Sequence, residues 1–360
     1  MRYTDFWFRS TWRETSRVAN VMVVGGAGYI GSVLVRALLD QDYSVTVLDR
    51  MYFGSAGIDG IRYKLANVIL KDMREVSYDD LENMDAVINL GGLSNDPTAD
   101  YNPVANHEMN VVATTEIARK CREMGIRRYV FASSCSIYDR QGDTDIVFDE
   151  ESEVIPRWHY SMSKYEAERN LLDMVDNNFC PVILRKGTVY GYSPRMRFDL
   201  VVNTMMKDTI MNKRVMIHNG GEMWRPLVHI NDVAAAYIRA IRAPEDMVRG
   251  EIFNISRDNY RISEIALRLS NILKVDGQPI QIAAVYGMPH VRSYRVSNAK
   301  SRTVLGFEPI ISLETGLMHM GNEIIAANLN DVWHPRYNNI EWMKILDSSR
   351  DIIGCKEKLF

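Results

Sequence analysis

Nowhere do these 360 residues hold eighteen consecutive apolar positions, which excludes an ordinary membrane-spanning helix. Cysteine is scarce. Cys121, Cys135, Cys180 and Cys355 are the only four, far apart and without CxxC or metal-ligand spacing. That excludes a disulfide-stapled secreted scaffold and a cysteine metal centre, and it fits reduced thiols in a cytoplasmic compartment. Charge of neither sign is in excess: 43 Lys+Arg against 46 Asp+Glu give a formal net charge of -3. A broad polyanion-binding face is therefore absent, and nucleic acid is not an expected partner, although a local arginine pocket is compatible. Internal repeats and low-complexity blocks are lacking too. What remains, 46% hydrophobic and 25% charged, is ordinary for a globular chain. Its length suits one large α/β domain or two of usual size. Residues 1–19, with Trp7 and Trp12 among several arginines, lack the apolar centre of a signal peptide. They read as an extension packed on the surface; a disordered leader, a wrongly assigned start, or a transit peptide interrupted by Asp5 and Glu14 are the alternatives.

Short apolar runs alternate with longer helical patterns. Asn20 to Val24, Ser44 to Leu48, Asp85 to Leu90, Arg128 to Ala132 and Val182 to Arg185 read as strands. Helical stretches run over Ser32 to Asp40 and about Pro103 to Met124. Such alternation predicts right-handed crossovers and a parallel sheet covered on both faces, which is why its strands are nearly continuous in apolar residues. Beyond about Tyr190 the regularity weakens, and Glu251 to Ile255 is a candidate strand returning to the sheet. The expected fold class is α/β: a Rossmann-type doubly wound parallel sheet with a smaller mixed α/β C-terminal substrate domain. The expected division is 1–19 extension, 20–190 dinucleotide-binding domain, 191–345 substrate-binding domain with about 226–256 returning to the first, and 346–360 tail.

The glycine run GGAGYIG follows a strand and opens a helix. Gly25 permits the tight turn, Gly28 lets backbone amides approach a pyrophosphate, and Gly31 lets the helix pack closely on the strand. With Tyr29 and Ile30 these residues are expected to cradle the phosphates at a helix N-terminus. Asp49 ends the second strand eighteen residues after Gly31. A carboxylate there binds ribose hydroxyls and repels a 2′-phosphate, favouring NAD over NADP; Arg50 softens the preference, and a plain strand-end turn is the alternative. Asp72 stands where a third strand would end, either accepting from the adenine amino group or capping a helix.

The segment FASSCSIY places Ser133, Ser134 and Ser136 after a strand, at the sheet edge where doubly wound proteins bind ligands. YSMSK then sets Tyr160 and Lys164 four apart, on one face of a helical pattern running to about Val175. An ammonium beside a phenol is expected to lower the tyrosine pKa. The phenolate can then take a proton from a carbinol as hydride leaves for the cofactor. A YxxxK match alone is common by chance; its weight comes from the glycine loop and serine turn upstream in the right order.

Taken together, GGAGYIG, the serine turn and YxxxK resemble the extended short-chain dehydrogenase/reductase family, in its nucleotide-sugar epimerase/dehydratase branch, over roughly Asn20 to Leu317. The resemblance implies Tyr160 as acid/base, Lys164 as the residue that orients the ribose and tunes Tyr160, and Ser134 as the catalytic hydroxyl. Asn110 matches the asparagine of the family's N-V-x-G-T helix, with Ala113 in place of its glycine. GTVYGYSPRMRFDLVVN, with Asn203, resembles the loop after the sixth strand. Arg225, His229 and Asp232 match an R-x-x-x-H-x-x-D segment in which His229 is structural, and Arg292 matches an arginine that approaches the substrate diphosphate. Ser94, Ser136, Asn203, Arg225 and Arg292 are thus the expected substrate contacts, with NAD as cofactor, no metal and a homodimer.

Where dehydratases carry an Asp-Glu pair after the catalytic hydroxyl, this chain has Cys135 and Ser136. The segment GGLSNDP replaces the commoner H-L-A-A and points to an unusual substrate environment near Ser94 and Asn95. The first expectation is an NAD-dependent epimerase acting at sugar carbon 4 through a transient keto-sugar. A one-way NDP-sugar dehydrogenase or ketoreductase is second. A dehydratase, a catalytic Cys135 and a non-catalytic NAD-binding module stand behind these.

Overall fold

The computed structural model describes residues 19–139, 146–275, 278–287, 292–329, 331–352 and 360. The expected extension 1–19 (apart from Ala19), Cys355 and most of the tail after 352 lie outside the described residues.

Seven parallel strands form the central sheet: β1 (Asn20–Val24), β2 (Ser44–Leu48), β3 (Asn67–Ile69), β4 (Ala86–Asn89), β5 (Arg128–Ser134), β6 (Cys180–Lys186) and β7 (Ile252–Ile255). Their spatial order is β7-β6-β5-β4-β1-β2-β3, every neighbouring pair being parallel. The run that suggested a returning strand does return, as edge strand β7 against β6. The reason for the apolar runs is visible in β1. Val21 and Val23 enter a core with helix α1 (Tyr29–Leu39), whereas Met22 and Val24 enter a second core on the opposite face. A strand of period 2 buried on both sides has no polar face to show.

The chain turns outward in both directions from β1 and β4, so a crevice opens between their C-terminal ends, where ligands of open α/β sheets bind. Helix α1 begins three residues before the sequence pattern placed it, at Tyr29 with extended Gly28 as its N-cap. The expected long helix after Pro103 is instead three joined pieces, Pro103–His107, a π-helical turn over Glu108–Ala113, and Thr114–Glu123. Helix α2 (His159–Leu172) carries the YxxxK residues across the C-terminal ends of the strands.

Beyond β6 the chain builds smaller pieces over the same edge. Strand Trp224–His229 lies between Thr188–Tyr190 and Asp258–Arg261, and Arg214–His218 pairs with Gln281–Val285. Helix α3 (Ile230–Arg242) packs beside α1 against the sheet. His229 caps α3, its Nδ1 accepting from Asn231 N at 3.3 Å, and burial pushes its pKa down to about 3, so it is a neutral capping group. Asp232 accepts from the amides of Ile310 and Ile311 and ties α3 to the C-terminal half. Helix α4 (Asn339–Ile352) comes back from that half to the first part of the chain, where Trp342 Nε1 donates to Tyr52 O at 2.6 Å.

Candidate active site

A cleft of about 690 Å³ runs along the sheet's C-terminal edge. At one end lies the glycine loop. Gly25 has φ +77°, and a Cβ there would sit 3.0 Å from Gly91 N of the facing β4 turn. A Cβ on Gly31 would lie 2.2 Å from Gly25 O, so only glycine lets α1 approach β1 this closely. The result is a glycine-rich cradle lined by Gly25, Gly28, Tyr29, Ile30 and Gly31 at a helix N-terminus, which fits an organic diphosphate. The Tyr29 phenol does not open into it: it donates to Gly191 O at 2.8 Å and accepts from Asn203 Nδ2 at 3.0 Å.

Asp49 lines the same end, its carboxylate held by the amides of Ala27 (3.0 Å) and Met51 (2.7 Å). Burial raises its pKa, and the two amides work against the rise. Asp72 also lines the cleft, but it caps the turn Met73–Glu75 and receives Arg74 Nε (3.0 Å), Arg74 Nη2 (2.9 Å) and Tyr52 OH (2.9 Å). Burial alone would raise its pKa; the Arg74 bonds outweigh it and hold the carboxyl low. The expected cap is present, and Asp72 stands in the cleft lining as well.

At the other end, β5 and α2 bring Ser134, Tyr160 and Lys164 together in the cleft lining. Ser134 stands near enough to the Tyr160 phenol to pull its pKa down, and its Oγ accepts from Ser136 N at 3.2 Å. Lys164 Nζ lies 6.0 Å from the Tyr160 ring centroid and 4.8 Å from that of Phe131. The expected lowering of the tyrosine pKa is not what the protein alone produces. Burial pushes Tyr160 up to about 12, with Ser134 and the Arg197 cation pulling the other way, and burial pushes Lys164 down to about 8. Desolvation outweighs the helical spacing because both groups are buried.

Beneath this set lies a buried network. Glu168, one turn beyond Lys164, is fully buried and accepts from Ser133 Oγ, from Arg185 Nε at 3.0 Å and from Arg185 Nη2 at 2.7 Å. Arg185 Nη1 in turn donates to Tyr138 OH at 2.6 Å. Asn110, also fully buried, donates to Leu93 O, Asn106 Oδ1 and Ser163 Oγ and so fixes α2 against the β4 turn. Cys135 is buried, donates to Arg185 O at 3.0 Å, and has its thiol pKa pushed up by burial. A catalytic role for it is overturned, because a desolvated thiol off the cleft cannot supply a thiolate.

The expected substrate residues separate into two groups. Ser94 and Arg292 line the cleft. Ser94 Oγ receives Arg197 Nη1 (2.9 Å) and Asn339 Nδ2 (3.1 Å), and Arg292 pairs with Asp96 across the opening. Ser136, Asn203 and Arg225 do not line it. Ser136 is buried in the turn after β5, Asn203 holds Tyr29, Gly191 N and Arg197 O, and Arg225 donates to the backbone oxygens of Trp224 and Arg292. The side chains of Asn203 and Arg225 brace the wall from behind.

Sequence reasoning missed Lys186, Arg195, Arg197 and the α4 residues Asn339 and Met343, all of which line the cleft. The two arginines of PRMRFD, just past a strand end, were the signal available for the loop. No local signal marks Asn339. Among the described residues no group of three or more His, Cys, Asp or Glu is placed to hold a metal ion, and no described helix is long and apolar enough to cross a membrane.

A doubly wound sheet, a glycine cradle at its switch point and a Ser/Tyr/Lys set across the same cleft define an enzyme that works with a dinucleotide. The chain belongs to the NAD dependent epimerase/dehydratase family, whose model matches residues 21–256. It is 26% identical over 310 residues to a putative UDP-glucose 4-epimerase of Methanocaldococcus jannaschii, covering 84% of this chain and 97% of that protein. It is 24% identical to a UDP-N-acetyl-alpha-D-glucosaminuronate decarboxylase of Bacillus cytotoxicus, covering 82% and 94%. Among solved structures it resembles the UDP-glucuronic acid 4-epimerase of Bacillus cereus, with a TM-score of 0.75, 23% identity, and coverage of 86% of this chain and 99% of that one.

Proposed function

We propose that this enzyme epimerises a nucleoside-diphosphate sugar at carbon 4 through a transient keto-sugar, with NAD retained throughout. The observation that carries the reading is that Ser134, Tyr160 and Lys164 line one cleft together with the glycine loop, with no acid pair following Ser134. Residues 20–190 hold the cofactor in this reading, and 191–345, with 226–256 returning, cover the sugar nucleotide. Gly25, Gly28, Tyr29, Ile30 and Gly31 hold the pyrophosphate through their backbone, Asp49 the ribose hydroxyls, and Lys164 the second ribose. When bound, oxidised nicotinamide supplies the acceptor and later the donor of hydride, and it adds a positive charge that favours the Tyr160 phenolate. Ser134 holds the sugar oxygen, Tyr160 takes its proton, and the enclosing wall keeps water from the ketone. When the keto-sugar has turned, Tyr160 returns the proton. Arg292, braced by Arg225, exchanges Asp96 for the substrate diphosphate, a bidentate task suited to its planar fork. The similarity to a putative UDP-glucose 4-epimerase supports this reading, and a homodimer in the cytoplasm is the state we attach to it.

The test is incubation of candidate UDP-sugars in deuterated water, followed by proton NMR and by assay of released nicotinamide. We expect inversion at carbon 4, no deuterium on carbon, and NAD still bound to the protein. Stoichiometric release of NADH would instead establish the dehydrogenase or ketoreductase reading, and deuterium at carbon 3 or 5 would overturn carbon-4 chemistry.

A pH dependence follows from Lys164. Its ammonium is present below about pH 8 and is lost above it. Turnover should therefore fall as pH rises through that value, and Lys164→Met should flatten this alkaline limb in a pH profile of kcat.

A further inference from the structure

Arg195 has no part in the chemistry above. It stands between strand Thr188–Tyr190 and helix Val201–Asn212, is 5% exposed, and lines the cleft. Its Nη2 donates to Asn339 Oδ1 at 2.6 Å, and its guanidinium lies 3.9 Å from the Phe53 ring centroid. Its Nε and Nη1 are buried and have no hydrogen-bond partner. The two carboxylates whose charge it feels, Asp199 and Asp49, are held by other groups: Asp199 by both arms of Arg197, Asp49 by the amides of Ala27 and Met51. A desolvated cation with two orphaned donors destabilises the free protein. The chemistry that relieves it is an anion with two acceptor oxygens, which a planar guanidinium matches. Asp49, bonded to Ala27 N of the glycine loop and lining the same cleft, is among the groups whose charge reaches Arg195, which puts the guanidinium toward the cradle end.

We propose that Arg195, held from behind by Asn339, clamps the pyrophosphate of the dinucleotide, and that helix α4 is thereby part of the cofactor site. The rest of α4 is arranged for it. Asn339 is 5% exposed and anchored twice more, its Nδ2 on Ser94 Oγ at 3.1 Å and its backbone N–H on Asp199 Oδ2 at 3.2 Å. Trp342 is tied to Tyr52 O, and Ile340 and Met343 line the cleft together with Asp49 and Asp72. The clamp is independent of which sugar chemistry the Ser134–Tyr160 pair performs.

The test is calorimetric titration of the nucleotide-stripped full chain with NAD and, separately, with UDP. Arg195→Met is expected to weaken NAD about 10- to 100-fold and to change UDP less than about twofold. The melting temperature of the nucleotide-free protein should stay level or rise, since an unpaired buried cation has gone. Asn339→Ala keeps the charge but removes its holder, and NAD is expected to weaken about 3- to 10-fold. If Arg195→Met does not fold, Asn339→Ala decides alone. NAD affinity unchanged in every folded variant overturns the proposal. Loss of UDP binding with NAD unchanged does so too, by assigning the guanidinium to the sugar nucleotide.

Discussion

Tyr160→Phe is expected to lower kcat by about 10³-fold while NAD still binds and the protein melts where it did before. The substitution removes one oxygen and keeps the ring, so the packing around a residue that is 8% exposed is preserved. What goes is the hydroxyl assigned to move a proton to and from the sugar oxygen. Burial leaves this phenol at about 12 in the ligand-free protein, so the reacting form depends on positive charge in the cleft. Arg197 supplies part of that charge, and the bound cofactor supplies the rest. The variant should therefore be limited in the chemical step, with the same low rate in single-turnover experiments as at steady state, and its affinity for UDP-sugars should be unchanged. An equal loss in affinity would place Tyr160 in ground-state binding instead. Absence of turnover in the parent protein as well as the variant, with an unaltered cellular phenotype, would favour a cofactor-binding module without catalysis.

Glu168→Gln should lower folding stability by about 3–5 kcal/mol, because it leaves the Arg185 guanidinium buried without its counter-charge. The ion pair is almost wholly desolvated, with side chains 3% and 1% exposed at an N–O distance of 2.7 Å. Breaking one side of such a pair costs far more than the pair is worth against an apolar replacement. Urea denaturation should show the loss as a lower midpoint at unchanged slope. Glu168→Leu combined with Arg185→Met should recover most of it, and equal instability of the single and double variants would contradict the argument. The same carboxylate raises the pKa of Lys164. In Glu168→Gln the alkaline limb of the rate profile should therefore move to lower pH, a readout that loss of packing alone does not shift.

The two predictions differ in how early they are accessible. Tyr160 and Lys164 were legible from spacing and order along the chain, and Ser134 was singled out among three serines only by the family resemblance. The sign of the tyrosine's shift was not, because it depends on how many atoms from distant segments exclude water from the phenol. Glu168 is one helical turn past Lys164, yet nothing local says that its partner is Arg185 rather than Lys164; the pairing of β5 with β6 decides it. Ser136, Asn203 and Arg225 carry side chains suited to a substrate, and only the packing of the loops around them turned those side chains away from the cleft.

By itself the amino-acid sequence determined the parallel sheet, the glycine cradle and the placing of Tyr160 and Lys164 on one helix face, since each rests on periodicity or on conformational freedom within a few residues. Tertiary structure alone decided which charges are paired and which stay open. Arg195 and Asn339 are 144 positions apart and meet because α4 folds back over the cleft. Side-chain electrostatics is set by distance and desolvation in space, and neither is encoded by neighbourhood along the chain.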